Sequence, residues 1–266
     1  MTLDMVARFV EAGEPAGKHF PPTLLYNEGW LLRLVLNWFH KNRTPGHPLF
    51  FEESATWYSE ALLPTPFRAS RRGDTHAESR THADGVIGHF SVGIEGKADL
   101  QLDASATQLV VLEAKLFSPL SPRVRAAPDY DQAARSVACL AEALRRGKRP
   151  PAEMSTLAFI LLAPIREIES RDLAAKLDRG RLQAAVGRRI SGFARDLSSW
   201  YQSWFLPTLG RIDLKVVAWE ELIRQIVANQ PVGYRALQTF YDRCLVYGAA
   251  RAPTPVAKIA RRGRQA

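Results

Sequence analysis

The sequence predicts an α/β protein in which a central mixed sheet, containing a three-strand antiparallel meander, carries helices on both faces. Three observations lead to this class. Amphipathic helical patterns stand near both ends of the chain. Three short strand-like runs follow one another with gaps of only a few residues, the spacing of hairpins. Two later strand-like runs are separated by helical stretches, as in units with helical crossovers.

Residues 23–63 predict two helices. Residues 23–41 place apolar side chains at steps of three and four, which is the period of a helix with one buried face. Turn-forming residues at 44–48 end this helix. Residues 53–63 predict a short second helix, stopped by Pro64 and Pro66, and the polar stretch 70–83 predicts a loop.

Residues 85–94, 98–103 and 108–116 predict the three strands of the meander. In the second run leucines alternate with polar residues, as expected for a half-buried strand. The third run is apolar apart from one acidic and one basic residue. Because the gaps between the runs are short, we expect each strand to pair with the next.

The remaining elements alternate between helix and strand. Residues 130–146 predict a helix, and the continuous apolar run 156–163 predicts a strand buried on both faces. Residues 168–206 predict a helical region, 212–219 another strand, and 233–247 a final helix.

This succession predicts one domain over residues 1–252, with its core at about 22–222 and the last helix at 233–247. Residues 253–266 are basic and predict a disordered tail.

Positive charge is concentrated in the C-terminal half. Residues 131–266 contain 23 Lys and Arg against 12 Asp and Glu, whereas residues 1–130 contain 13 against 15, and the whole chain has a net charge of +9. This asymmetry favours a surface facing a polyanion beside a carboxylate site. An ordinary arginine-rich solvated surface explains the charge equally well.

Several classes of protein are disfavoured. Two cysteines, Cys139 and Cys244, are too few for a disulfide framework or a structural zinc site. Apolar runs stay below transmembrane length, and residues 1–13 lack the layout of a signal peptide. We therefore expect a cytoplasmic protein with no membrane partner.

Two carboxylates and a lysine stand on predicted strands. Glu113 and Lys115 are two residues apart and so share one face of their strand. Asp99 lies on the preceding predicted strand, and a hairpin would bring it beside Glu113. Buried charges are costly unless they have partners or a metal. Such a set suits Mg²⁺, with Mn²⁺ as a substitute, and the hydrolysis of a phosphodiester.

These residues carry a resemblance to a known family. The run GKADLQLD followed by LVVLEAK resembles the PD-(D/E)xK nuclease superfamily, whose fold is that of restriction endonucleases. Asp99 stands in the position of the first acidic residue, with Ala98 in place of the proline, and Glu113-Ala114-Lys115 matches the (D/E)xK tripeptide. The resemblance covers about residues 22–165.

The resemblance implies two more site residues. Members often place an acidic ligand on the helix before the sheet, and Glu28 lies on the apolar face of such a helix. Tyr130 and Gln132 loosely match a Tyr and a Gln of RecB-like members, at a different spacing. The implied metal ligands are Asp99, Glu113, Ala114 and Glu28, and the implied catalytic residues are Asp99, Glu113, Lys115, Glu28 and Gln132.

Alternatives stay open at several of these positions. Asp84, in the sequence HADG, is a rival for the first acidic position. In the alternative to a metal site, Glu28 pairs with a nearby arginine. Asp99, Glu113 and Lys115 then form a structural salt bridge between strands.

The function expected from these residues is that of a Mg²⁺-dependent deoxyribonuclease acting in restriction, defence or repair, with DNA as partner. A homodimer or a larger defence or repair complex is left open. The alternative is an inactive nuclease-fold module that binds nucleic acid or a protein.

Overall fold

The computed structural model describes residues 22–69, 77–78, 81–94, 98–120, 129–229 and 231–249. Within them the strands are β1 (Thr56–Leu63), β2 (Thr81–Gly88), β3 (Phe90–Val92), β4 (Leu100–Leu102), β5 (Gln108–Ala114), β6 (Thr156–Ala163) and β7 (Asp213–Ala218). The helices are α1 (Glu28–Asn42), α2 (Gln132–Gly147), α3 (Ile165–Ser170), α4 (Leu173–Lys176), α5 (Arg179–Ser191), α6 (Ser198–Trp200), α7 (Leu206–Arg211), α8 (Trp219–Asn229) and α9 (Pro231–Ala249), with a π-helical turn at Tyr201–Phe205.

One mixed sheet of five strands has the order β1-β2-β5-β6-β7. The first two pairings, β1 with β2 and β2 with β5, are antiparallel. The last two, β5 with β6 and β6 with β7, are parallel. Each parallel step needs a crossover, and α2 supplies the first while the helices from α3 to α7 supply the second. The chain is therefore an α/β protein with a mixed sheet, as predicted.

Helices cover both faces of this sheet. On one face α2, α5 and the following helices share a core with the sheet that includes Val111, Val137, Leu140, Phe159 and Val186. On the other face α1, α8 and α9 share a core that includes Leu32, Leu112, Ile160, Trp219 and Phe240. Side chains of β6 are buried on both sides, which explains its continuous apolar sequence.

The prediction names the wrong strands for the antiparallel meander. The three antiparallel strands of the main sheet are β1, β2 and β5, whereas β3 and β4 form a separate two-stranded sheet. The predicted strand 85–94 is interrupted at Gly88, which has a φ of +151°. A Cβ there would lie 2.2 Å from the Gln108 carbonyl oxygen, so only glycine allows this close approach. Beyond it the chain pairs with β4 instead of continuing along β5.

The predicted short helix at 53–63 is also wrong, because most of this segment is strand β1. Its residues pair with β2 from Thr56 opposite Gly88 to Leu63 opposite Thr81. Glu, Ala and Leu in this segment have good helix propensities, but burial of Ala61 and Leu63 against the core decides the outcome.

The last third departs from prediction at two points. The helical region predicted at 168–206 is broken into pieces, and Asp178 starts a new helix by accepting a hydrogen bond from the Arg181 N–H, 2.7 Å away. The strand predicted at 212–219 ends at Ala218, and α8 follows directly. Across the described ranges, no helix combines the length and the apolar character needed to cross a membrane. The predicted tail at 253–266 lies outside the described residues, as does most of the predicted loop at 70–83.

Candidate active site

Two carboxylates meet where β2 lies beside the end of β5. The antiparallel register pairs Gly85 with Leu112, so the next positions, Asp84 and Glu113, lie opposite each other. Asp84 Oδ2 accepts a hydrogen bond from the Ala114 N–H at 2.7 Å. The Asp84 carboxylate is also close enough to share a side-chain hydrogen bond with Glu113.

A break in the β1–β2 pairing directs the Asp84 side chain toward Glu113. The β1–β2 pairing passes from Ser59–Gly85 to Ala61–Ala83 and omits the residues between them. One of these, Glu60, has a left-handed φ of +59°. Along β2, Ala83 and Val86 both face the core beneath α2, so the alternation of faces shifts by one residue at Asp84. Such breaks in a ladder redirect a side chain, here toward the end of β5.

Glu113 is held by two donors. It is 1% exposed, and its Oε1 accepts hydrogen bonds from Lys115 Nζ at 2.6 Å and from Gln132 Nε2 at 2.5 Å. The Lys115 side chain is 12% exposed, so its ammonium reaches the margin of the site. Glu113 of β5 and Lys115, just after its end, lie on one face, and α2 brings Gln132 to that face, so strand and helix together build this cluster.

The pKa of Glu113 is raised to about 7: burial and the nearby Asp84 carboxylate raise it, burial more, and Lys115 partly opposes them. The ionised form of the Glu113 carboxyl is therefore disfavoured by its burial and by repulsion from the Asp84 carboxylate. A divalent cation would remove this repulsion.

The donor set fits Mg²⁺. This ion takes oxygen ligands and is usually held by one or two carboxylates plus waters. Asp84 and Glu113 supply the carboxylates. The Ala114 N–H points toward β2, and the carbonyl of an extended residue points to the same side as its N–H, so the Ala114 carbonyl would be the third oxygen for a cation held there.

Gln132 is the first residue of α2, and its position is fixed by the start of that helix. Asp131 is the N-cap and accepts from the Ala134 N–H at 3.1 Å. Its other oxygen pairs with Arg181 of α5. A second ion pair, between Asp129 and Arg188 at 3.1 Å, joins the same two segments. The start of α2 is thus tied to α5.

A buried polar cluster lies beneath α2, farther from Glu113. Glu78 accepts a hydrogen bond from Thr65 Oγ1 at 2.8 Å and lies 3.9 Å from Arg189. The Arg189 guanidinium also sits 4.7 Å from the ring of Phe67. Burial raises the pKa of Glu78, and Thr65 and Arg189 oppose this. These contacts join the segment after β1 and Glu78, which precedes β2, to α5.

Asp99 is not beside Glu113, which corrects the prediction for the first acidic position. It precedes β4, which pairs with β3, and it forms an isolated bridge with Leu62 at the end of β1. The prediction assumed that strands adjacent in sequence pair with each other. The strand that pairs with β5 is β2, and the rival acidic residue Asp84 lies on it.

The structure places Glu28 apart from this pair of carboxylates. It is the first residue of α1, and its charge acts on Cys244 of α9, whose pKa is raised by burial and by Glu28. Among the described residues, no group of three or more His, Cys, Asp or Glu side chains has the geometry of a metal site. Of the five predicted catalytic residues, the structure brings together Glu113, Lys115 and Gln132.

The signal that favours Asp84 is present in the sequence. It directly precedes an apolar run, Gly85 to Ile87, that matches the run Val110 to Leu112 before Glu113 in length and character. An antiparallel pairing of these two runs puts both carboxylates at the same level.

Comparison with known proteins gives no relative: no protein-family model, no curated protein and no solved structure matches this chain. The candidate site therefore rests on the geometry of the chain's own residues.

Proposed function

We propose that this protein is a metal-dependent nuclease of the PD-(D/E)xK type that hydrolyses DNA, with Asp84 in the first acidic position and Glu113 and Lys115 as the tripeptide's charged residues. The observation that carries this proposal is the pairing of β2 with β5, which sets Asp84 opposite Glu113, with Lys115 Nζ 2.6 Å from the Glu113 carboxylate.

The architecture supports the same assignment. The resemblance calls for an acidic residue on a strand beside the tripeptide strand, with helices on either side. Here β2 carries Asp84, β5 carries Glu113, and α1 and α2 lie on opposite faces of the sheet. A restriction endonuclease-like fold is therefore part of the proposal.

Each residue has a distinct role in the proposed reaction. Hydrolysis joins a water oxygen to phosphorus and breaks one ester P–O bond, leaving a phosphomonoester and a hydroxyl. A divalent cation held by Asp84, Glu113 and the Ala114 carbonyl would lower the pKa of a water and neutralise phosphate charge. Lys115 is placed to orient that water or to donate to a phosphate oxygen. Gln132 fixes the Glu113 carboxylate.

One observation favours the alternative, an inactive nuclease-fold module that binds nucleic acid or a protein. The candidate site offers two acidic side chains rather than three or more within the described residues. In such a module the Lys115–Glu113 contact would serve only as a structural ion pair.

Cleavage of supercoiled plasmid, linear duplex and single-stranded DNA, with Mg²⁺, Mn²⁺ or EDTA, tests the proposal. We expect metal-dependent cleavage by the wild type, and its loss in Lys115→Ala and in Asp84→Asn with folding retained. Asp213→Asn, which removes an exposed carboxylate of β7, is the matched control and should cleave like the wild type. Undiminished cleavage by Lys115→Ala, or none by the wild type with either metal, would refute it.

A further inference from the structure

A cavity of about 560 Å³ lies between the end of β1, β4 and the C-terminal end of α2. Its volume is in the range of small-ligand sites. Four cationic side chains from two parts of the chain line it: Arg68, Arg145, Arg146 and Lys148. Basic residues are common in the last turn of a helix, where they offset its dipole, and this accounts for Arg145 and Arg146. Arg68 comes from the segment after β1, so the dipole does not explain its presence.

The positive charge of this cavity is only partly neutralised. Glu142 pairs with Arg145 at 2.7 Å and with Arg146 at 3.0 Å. Asp99 is the acidic residue in the lining. Arg68 and Lys148 are exposed, and their side chains have no acceptor within the part of the chain that the structure describes. Two cations are thus available to an anionic ligand.

A second cavity, of about 550 Å³, adjoins the first because Arg145 lines both. It adds Arg195, Trp200 and Trp204 to the surface. The Trp200 side chain is buried, and its indole N–H has no acceptor in the described residues. Together the two cavities form a groove that combines arginines with aromatic rings.

We propose that this groove binds a single-stranded polynucleotide, its phosphates at Arg68 and Lys148 and a base at the partly exposed ring of Trp204. This inference rests on the proposed function and names the form of substrate that it takes. Positive grooves with aromatic side chains are the usual means of holding single strands, because every base has a face to stack.

The groove lies close enough to the carboxylates for one strand to reach both. Leu63 lines the first cavity and pairs with Thr81 of β2. Asp84 is three residues along the same strand, about 10 Å at the rise of an extended chain. Lys148 lies farther away, because α2 separates it from Gln132 by about 24 Å at 1.5 Å per residue, so one strand that contacts both Lys148 and Glu113 would span several nucleotides.

Binding of a labelled 20-nucleotide single strand in EDTA, followed by fluorescence anisotropy over a salt series, tests this inference. The variant is Arg68→Gln with Lys148→Asn, because asparagine tolerates the left-handed φ of +52° at position 148. The matched control is Lys41→Gln with Arg224→Gln, which removes two exposed cations outside the groove.

We expect the groove variant to bind the single strand about 25-fold more weakly at 0.1 M salt, with the slope of log K against log salt reduced by about 1.4, the counterion release of two phosphate contacts. The control pair should bind like the wild type. An unchanged slope and affinity in the groove variant, or an equal loss in the control, overturns the inference. The inference is also overturned if the groove variant loses affinity only for duplex DNA, or if the wild type binds vesicles of anionic phospholipid as tightly as it binds the single strand.

These outcomes are separable from the fate of the proposed function. Loss of cleavage in Lys115→Ala, together with unchanged binding by the groove variant, leaves the hydrolytic site standing and removes the groove. If binding depends on Arg68 and Lys148 but the protein cleaves no DNA with either metal, the groove is supported and the hydrolytic function is refuted.

Discussion

Replacing Glu113 with glutamine should change how stability depends on pH. The pKa of this carboxyl rises from 4.5 to about 7 in the folded protein, chiefly through burial. The folded state therefore holds a proton that the unfolded state releases. The resulting stability is fully present below pH 4.5 and is lost as pH rises through 7. The full shift corresponds to about 3 kcal/mol, at about 1.4 kcal/mol for each pH unit.

Urea unfolding of wild type and Glu113→Gln at pH 5, 6, 7 and 8, without metal, measures this effect. The free energy of unfolding of the wild type should fall relative to the variant by about 2–3 kcal/mol between pH 5 and 8. Mg²⁺ at pH 8 should restore stability to the wild type and not to Glu113→Gln. Parallel pH profiles for the two proteins would show that Glu113 does not carry the raised pKa.

Three further changes have expected outcomes. Gln132→Ala should lower metal-dependent cleavage about 10- to 100-fold, as loss of a residue that orients a ligand does, and steady-state rates at saturating metal will show whether it does. Asp131→Ala should lower the free energy of unfolding by about 1 kcal/mol or more, because it removes the N-cap of α2, and urea unfolding measures this. Glu78→Ala should destabilise by about 3–5 kcal/mol, because the buried Arg189 loses its acidic neighbour, whereas an effect under about 1 kcal/mol would contradict the account of that cluster.

The elements nearest the site were largely predictable from sequence. The apolar run of β6 and the helical period of α2 are local patterns, and each gives its element within two residues. Glu113 and Lys115 stand out because charges are rare in an apolar strand. Gln132 was predicted as a site residue only from the family resemblance, and in the structure its amide donates a hydrogen bond to Glu113.

The prediction paired strands by their order along the chain, and this put Asp99 rather than Asp84 beside Glu113. Asp99 and Asp84 both stand near the runs that precede β5, so the choice between them depends on which strand pairs with β5. That pairing is fixed by the tight approach of Gly88 to the Gln108 backbone, which turns β3 and β4 out of the sheet. This contact joins Gly88 and Gln108, which are twenty positions apart, and such a contact produces no periodic pattern in the sequence.

Strand β1 was missed for a related reason. Its burial alternates only over its last residues, and its outer edge has no partner strand in the described sheet. Its last four residues, Glu60 to Leu63, favour a helix by propensity, and pairing with β2 selects the extended form. Because Glu60 interrupts the regular alternation, the sequence lacks the clear period of two that marks a strand.

The central claim is that Asp84 and Glu113 together hold one divalent cation. Isothermal titration of Mn²⁺ into the wild type, Asp84→Asn and Asp99→Asn, at pH 8, tests it most directly. We predict one bound ion in the wild type and in Asp99→Asn, and none at millimolar Mn²⁺ in Asp84→Asn. Equal binding by all three proteins, or loss of the ion in Asp99→Asn alone, would contradict this account.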